Sequence, residues 1–217
     1  MANSLFYKTV TPLLLRVLKT LMAAKEFDKF RLVGGTGLSF YRGHRESVDI
    51  DLFTDAPYDS IDFSKIDSFL RVNYPYVDTS NDDIIGFGKS YFVGESQDHS
   101  IKLDIFYTDE FIDAALVIDD IRIASVEEII AMKLDVIQRG GRKKDFWDIH
   151  ELMDEYSIDK MFSLHEKRYP YSHDKTILKK NFTKFENADS DFDPVCLREK
   201  HWELIKIDMI DFIKAFK

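Results

Sequence analysis

The sequence predicts an α+β protein, with a mixed β-sheet and flanking helices in its N-terminal half and a helical part after it. Three observations carry that prediction. Residues 30–54 read as strand, glycine turn, short helix and strand. Two further strand-like segments follow, at 84–94 and 100–108. Beyond about residue 115 the apolar pattern changes to helical spacing. The chain of 217 residues, 45% hydrophobic and 32% charged, is long enough to bury a substantial core. We divide it into 1–115 and 116–217, with no evident linker between the two parts.

Taken in order, Leu14, Val17, Leu18 and Leu21 recur at helical spacing and predict an amphipathic helix over 5–25. "FRLVGG" (30–35) is a short strand ending in glycines, and "TGLSFYRG" (36–43) has room for about two helical turns. "SVDIDLFT" (47–54) alternates as a strand does, with Val48, Ile50 and Leu52 on one face and Asp49 and Asp51 on the other. Residues 61–75 read as a helix ended by Pro75. In "SIKLDIFYT" (100–108), Ile101, Leu103 and Ile105 share one parity, while Lys102, Asp104 and Phe106 share the other. Ser125 and Glu128 have capping-box spacing ahead of a helix running to about Gln138. "RGGRK" breaks that helix, 144–156 begins another, and the remainder reads as helices separated by polar loops.

The net charge of −9 excludes a general nucleic-acid coating protein, so a nucleic-acid partner would need a local basic patch. Cys196 is the only cysteine, which rules out an intrachain disulfide and a cysteine-based zinc site and fits a reducing compartment. Arg16 and Lys19 interrupt the apolar N-terminal run, and no run approaches the roughly 18 apolar residues of a membrane span. A cytoplasmic location is expected, with no membrane partner.

The candidate chemistry lies in carboxylates. Asp49 and Asp51, i and i+2 on a strand, point the same way about 7 Å apart, close enough for both to reach cations shared with a phosphate. A lone D-x-D is far more often the wet face of a half-buried strand. Asp104 adds a third acid if its strand lies beside theirs. Three clustered carboxylates repel unless cations separate them. Upstream, Gly34 and Gly35 permit close backbone approach, and Thr36 opens a helical turn where the dipole favours phosphate. This glycine pattern is neither the Walker loop nor the dinucleotide fingerprint. Lys133 has Ile129, Ile130 and Ile137 as helical neighbours, so its stem follows the inward stripe. It either snorkels outward or offers a point charge to a phosphate. Arg139, Arg142, Lys143 and Lys144 form a local positive run, readable as a helix end or as an RNA contact. Asp145 and Asp148 share one face of the next helix.

The segments "LVGGTGLSFYRGHRESVDIDLFT", "IKLDIFY" and "ASVEEIIAMKLDVIQRGGRKKDFWDIHEL" together resemble the nucleotidyltransferases of the DNA polymerase β-like superfamily, specifically the AbiEii/AbiGii toxin family. The similarity runs from about Phe30 to Met153. It implies a nucleotidyltransferase fold in 1–115 and a helical part, 116–217, contributing Lys133 and the Lys144–Asp148 motif. Asp49, Asp51 and Asp104 become ligands of Mg2+ (or Mn2+), with Asp104 a base for the incoming hydroxyl. Gly34, Gly35 and Thr36 would cradle the triphosphate of an NTP, and Arg45 and Ser47 would hold the loop or touch phosphate. Lys133 resembles the family's phosphate lysine; Lys144, Asp145 and Asp148 match its K-D-x-x-D motif, whose acids help to form the site. Thr36 stands where the wider superfamily has serine, and Lys102 beside Asp104 is positioned to pair with it.

The implied activity is transfer of a nucleoside monophosphate from an NTP to an acceptor hydroxyl, with release of pyrophosphate. RNA, tRNA above all, is the expected acceptor. The implied role is the toxin of a type IV toxin–antitoxin system with a cognate antitoxin. The alternatives are a small-molecule or protein hydroxyl as acceptor, or a nucleotide-binding module without turnover.

Overall fold

Thr11 opens the first long helix: its side chain accepts from the Leu14 N–H, and Pro12 occupies the first helical position. The computed structural model describes residues 5–79 and 86–215. This helix, α1 (Pro12–Ala23), buries Leu14, Val17, Leu18, Leu21 and Met22, the stripe the spacing predicts. It is shorter than 5–25 because Pro12 cannot sit inside a helix, and Tyr7–Thr9 form a separate 3-10 turn. Strand β1 is only Arg31–Leu32, and α2 (Gly34–Arg42) begins on the first glycine rather than after the second. Gly43 ends α2 in the left-handed conformation. Strand β2 (Asp49–Thr54) and α3 (Phe63–Asn73) follow, α3 capped by Asp62.

Next come β3 (Tyr76–Thr79), β4 (Gly88–Gly94) and β5 (Ser100–Tyr107). Residues 84 and 85 of the strand expected at 84–94 lie outside the described residues. Residues 116–123, assigned to the helical part on the sequence, form a hairpin of β6 (Leu116–Ile118) and β7 (Ile121–Ile123). Its two-residue turn, Asp119–Asp120, has both φ angles positive, at 50° and 64°. That is the backbone a tight hairpin requires, carried by aspartates instead of the glycine that usually advertises it. The helices then run as α4 (Val126–Gln138), α5 (Lys143–His150), α6 (Ile158–Arg168), α7 (Lys175–Asn181), α8 (Glu186–Asp189) and α9 (Trp202–Lys214). None of the described helices is long and apolar enough to cross a membrane.

The strands form one mixed seven-stranded sheet in the order β3-β4-β5-β2-β1-β7-β6. The β2–β5 and β1–β7 pairs are parallel and the others antiparallel. Ile50, Leu52, Leu103, Ile105, Tyr91 and Val93 pack on one face against α1 and α3, forming one hydrophobic core. A second core gathers the inward faces of α4–α9 around Leu134, Phe146 and Trp147. The site lies where these two units meet, on the opposite face of β2 and β5.

Candidate active site

Alternation along β2 buries Ile50, Leu52 and Thr54 and leaves Asp49, Asp51 and Phe53 on the other face. Along β5 the same rule puts Lys102, Asp104 and Phe106 on that face. The parallel pairing sets Asp51 directly opposite Asp104 and Asp49 opposite Lys102. Adjacent strands lie about 4.8 Å apart, so the three acids the sequence singles out form one neighbourhood. Burial raises the Asp51 pKa to about 6, with Asp104 and Asp49 adding repulsion and Lys133 and Lys144 only partly offsetting it.

Each outer acid is held by a lysine. Lys102 Nζ lies 2.5 Å from Asp104 Oδ2, and Ser90 Oγ donates to Asp104 Oδ1 at 2.6 Å. Lys144 Nζ stands 3.4 Å from Asp49 Oδ2. In this arrangement no three carboxylate, histidine or cysteine side chains among the described residues converge into a metal-ligand set. The donors are nonetheless hard oxygens on one sheet face, and the mutual repulsion felt at Asp51 is what a divalent cation would relieve. Holding such an ion with all three acids would require Lys102 to leave Asp104 and Lys144 to leave Asp49.

The glycine turn closes one side. Gly34 has φ +67°, and a Cβ there would overlap the Asp51 carboxylate; a Cβ on Gly35 would strike the Arg45 guanidinium. No side chain caps the N-terminus of α2, so the positive end of that helix beside Asp51 has no side-chain acceptor. Thr36 is buried: its hydroxyl donates to the Asp49 carbonyl oxygen and shares a 2.8 Å hydrogen bond with Ser47 Oγ. It ties the helix start to the β2 entry.

Lys133 is not on the surface. Its ammonium sits 2.7 Å from Asp145 Oδ1 and 2.8 Å from Asp148 Oδ2, beneath the acids of the sheet. Asp148 also receives a fork from Arg45, at 2.7 and 2.8 Å, and a 2.8 Å contact from His44 Nε2. Burial alone would push the Asp148 pKa up, but Arg45 and Lys133 outweigh it and hold it well below the ordinary carboxylate range. Asp145 is likewise lowered, by Lys133 and the Arg142 N–H against the penalty of burial. Asp145 and Asp148 are therefore anionic counter-ions buried behind the sheet acids. Arg45 is spent on Asp148 and on the Glu46 carbonyl oxygen, so it holds the loop.

The basic run is not a free patch. Arg139 pairs with Asp135 at 2.5 Å and Arg142 with Asp145 at 3.6 Å, while Lys143 is buried against Asp191 and Asp193. Lys143 thereby pins a strap, residues 191–195, whose Val195 carbonyl oxygen also accepts from the Glu46 N–H. Strap and sheet entry enclose a cavity of about 360 Å³ lined by Ser47, Asp49, Lys144, Phe192 and Pro194. Sequence reasoning gave no role to His44, although it lies within the quoted segment ending in Asp49 and Asp51, and it missed Ser90 and this strap, because the roles of all three depend on long-range placement.

The acids thus share one face of a mixed sheet, with a glycine-led helix start beside them and a helical unit behind, and the family of the chain makes it a nucleotidyltransferase. The family described as "Nucleotidyl transferase AbiEii toxin, Type IV TA system" matches residues 16–216. The chain belongs to that family. It is 31% identical over 194 residues to "Uncharacterized protein aq_aa25" of Aquifex aeolicus (strain VF5), covering 82% of this chain and 84% of that one. Among solved structures, JHP933 from Helicobacter pylori superposes with a TM-score of 0.60 at 20% identity, covering 93% of this chain and 87% of the other. MenT4, the nucleotidyltransferase toxin Rv2826c of Mycobacterium tuberculosis H37Rv, superposes at 0.55 and 13% identity, covering 92% and 80%. Those two likenesses speak to the fold.

Proposed function

We propose that this chain transfers a nucleoside monophosphate from an NTP to a hydroxyl of RNA, with tRNA the expected acceptor, as a toxin restrained by a cognate antitoxin. The observation that carries the reading is the register of β2 and β5, with Asp51 opposite Asp104 and Asp49 on the same face. In this reading Gly34, Gly35 and the open start of α2 receive the triphosphate, and the cavity beside Asp49 and the strap takes the remainder of the nucleotide. Lys144 exchanges Asp49 for a phosphate. Lys133 stays with Asp145 and Asp148 and supplies buried positive charge behind Asp51.

Asp49, Asp51 and Asp104 would hold magnesium or manganese, whose charge, when bound, offsets that of the acids and the phosphates. The acceptor oxygen attacks the α-phosphorus, its proton passes to the Asp104 carboxylate, and the bond to the β-phosphate breaks with pyrophosphate as leaving group. Arg45, His44 and Asp148 position the loop that carries these groups and touch no reacting atom.

The test is incubation of the protein and Mg2+ with each of the four α-labelled NTPs and, in parallel, tRNA, total protein or small hydroxyl compounds. Label appearing in tRNA from one preferred NTP is expected. Label confined to protein or small molecules, or none with any acceptor, would remove RNA as the substrate.

A further inference from the structure

The face that carries the acids does not stop at β5. Antiparallel pairing sets Ser90 opposite Asp104 and Phe92 opposite Lys102, and β3 adds Asp78 opposite Phe92. One cross-sheet row therefore reads Asp78, Phe92, Lys102, Asp49, and the next reads Ser90, Asp104, Asp51. The alternate residues Lys89, Tyr91 and Val93 are buried on the other face, so the direction of Phe92 is settled. Phe92 is 46% exposed, an aromatic ring presented to solvent two strands, about 10 Å, from Asp49. The Lys102 side chain beside it is 41% exposed and pairs, among the described residues, with Asp104. The "RGGRKK" cations are likewise paired with carboxylates, but their pairs lie off this face of β4 and β5.

We infer that this open face of β4 and β5 is the docking platform for the acceptor strand: a nucleobase of a single-stranded RNA end stacks on Phe92, and its phosphate takes Lys102. An exposed ring next to a cation is the chemistry of sequence-tolerant single-strand recognition. Continuity with the acids argues for the acceptor in particular, because a strand end lying on Phe92 and Lys102 brings its terminal hydroxyl onto Asp104. Docking also resolves the pairing that masks Asp104, since Lys102 leaves a carboxylate for a phosphate as the acceptor arrives. The inference rests on the proposed reaction for the identity of the occupant, but not for its physical readout.

That readout is affinity for a fluorescent single-stranded RNA oligonucleotide, measured by anisotropy without NTP over a series of salt concentrations. Phe92→Ala should weaken binding about tenfold and Phe92→Trp should restore it, as expected for a stacking contact. Lys102→Met should weaken binding and make the slope of log affinity against log salt shallower by about 0.7, the loss of one phosphate contact. Both variants should keep the wild-type melting temperature within about 2 °C, since exposed side chains contribute little to the core. Unchanged affinity in Phe92→Ala and Lys102→Met overturns the platform whatever a transfer assay reads, as does a wild-type protein with no affinity for RNA. A wild-type protein that binds RNA through Phe92 but labels none of it supports the platform and removes the proposed reaction instead.

Discussion

At the scale of single residues, Asp51 is an acid whose burial and acidic neighbours both oppose its charge. Its pKa is about 6 in the folded protein against an ordinary value of 3.8, so the folded form keeps a proton that the unfolded chain releases between those limits. Stability therefore falls as pH rises from about 4 to about 6, and the destabilisation is fully present above that window. Asp51→Asn removes it: in the presence of chelator the variant should unfold at higher urea than wild type at pH 7, by roughly 2–3 kcal/mol, with the gain vanishing near pH 4. Asp148 has the opposite sign, because its lowered pKa stabilises the fold above the usual carboxylate range and that contribution disappears in acid. Asp148→Ala strands Arg45 and Lys133 without their shared partner and should cost about 3–5 kcal/mol in urea denaturation. Strand alternation made the faces of Asp49, Asp51 and Asp104 legible. Helical spacing likewise showed that Asp145 and Asp148 share a face, but not that Arg45 and His44, about a hundred residues earlier in the chain, come to meet Asp148.

At the scale of elements, the starts of two helices show what local spacing can and cannot foretell. Ser125 caps α4 by accepting from the Glu128 N–H, as the S-x-x-E spacing predicts. The reciprocal half of the box is absent: the Glu128 carboxylate instead accepts from the Ile112 N–H at 2.7 Å and from Arg168 at 2.5 Å. Sequence spacing showed that Glu128 was in reach of its own helix end, but a buried arginine from α6 offers it more. Ser125→Ala should cost about 1 kcal/mol in denaturation, the value of one N-cap. At α2, Gly34→Ala meets both a positive φ and the Asp51 carboxylate. We expect a stability loss of about 1–2 kcal/mol but a far larger loss of nucleotidyl transfer, because the displaced group is Asp51. The β6–β7 hairpin stayed hidden for a related reason: Asp119 and Asp120 adopt the positive φ values that glycine would have signalled. Strand β3 was equally silent, being four residues on the outer edge of the sheet.

At the scale of the whole molecule, the mixed sheet and the helical unit behind it were legible from the change of periodicity near residue 115, and the order of the motifs pointed to the family. Strand order was not legible, because parallel pairing of β2 with β5 depends on β3 and β4 leaving β5 free on that side. With a net charge of −9 and a basic run whose cations pair with carboxylates, the proposed binding of RNA should rest on a few local contacts, be modest and weaken with salt. The central claim is that the carboxylates brought together by β2 and β5 perform nucleotidyl transfer. The most direct measurement is single-turnover transfer from an α-labelled NTP to tRNA, with Mg2+ or with chelator, for wild type, Asp51→Asn and Asp104→Asn. The account predicts transfer by wild type only with the cation, and a fall of about 10²–10⁴-fold in both variants, each still folded by circular dichroism. Wild-type rates in a folded Asp104→Asn variant, or transfer undiminished by chelator, would contradict it.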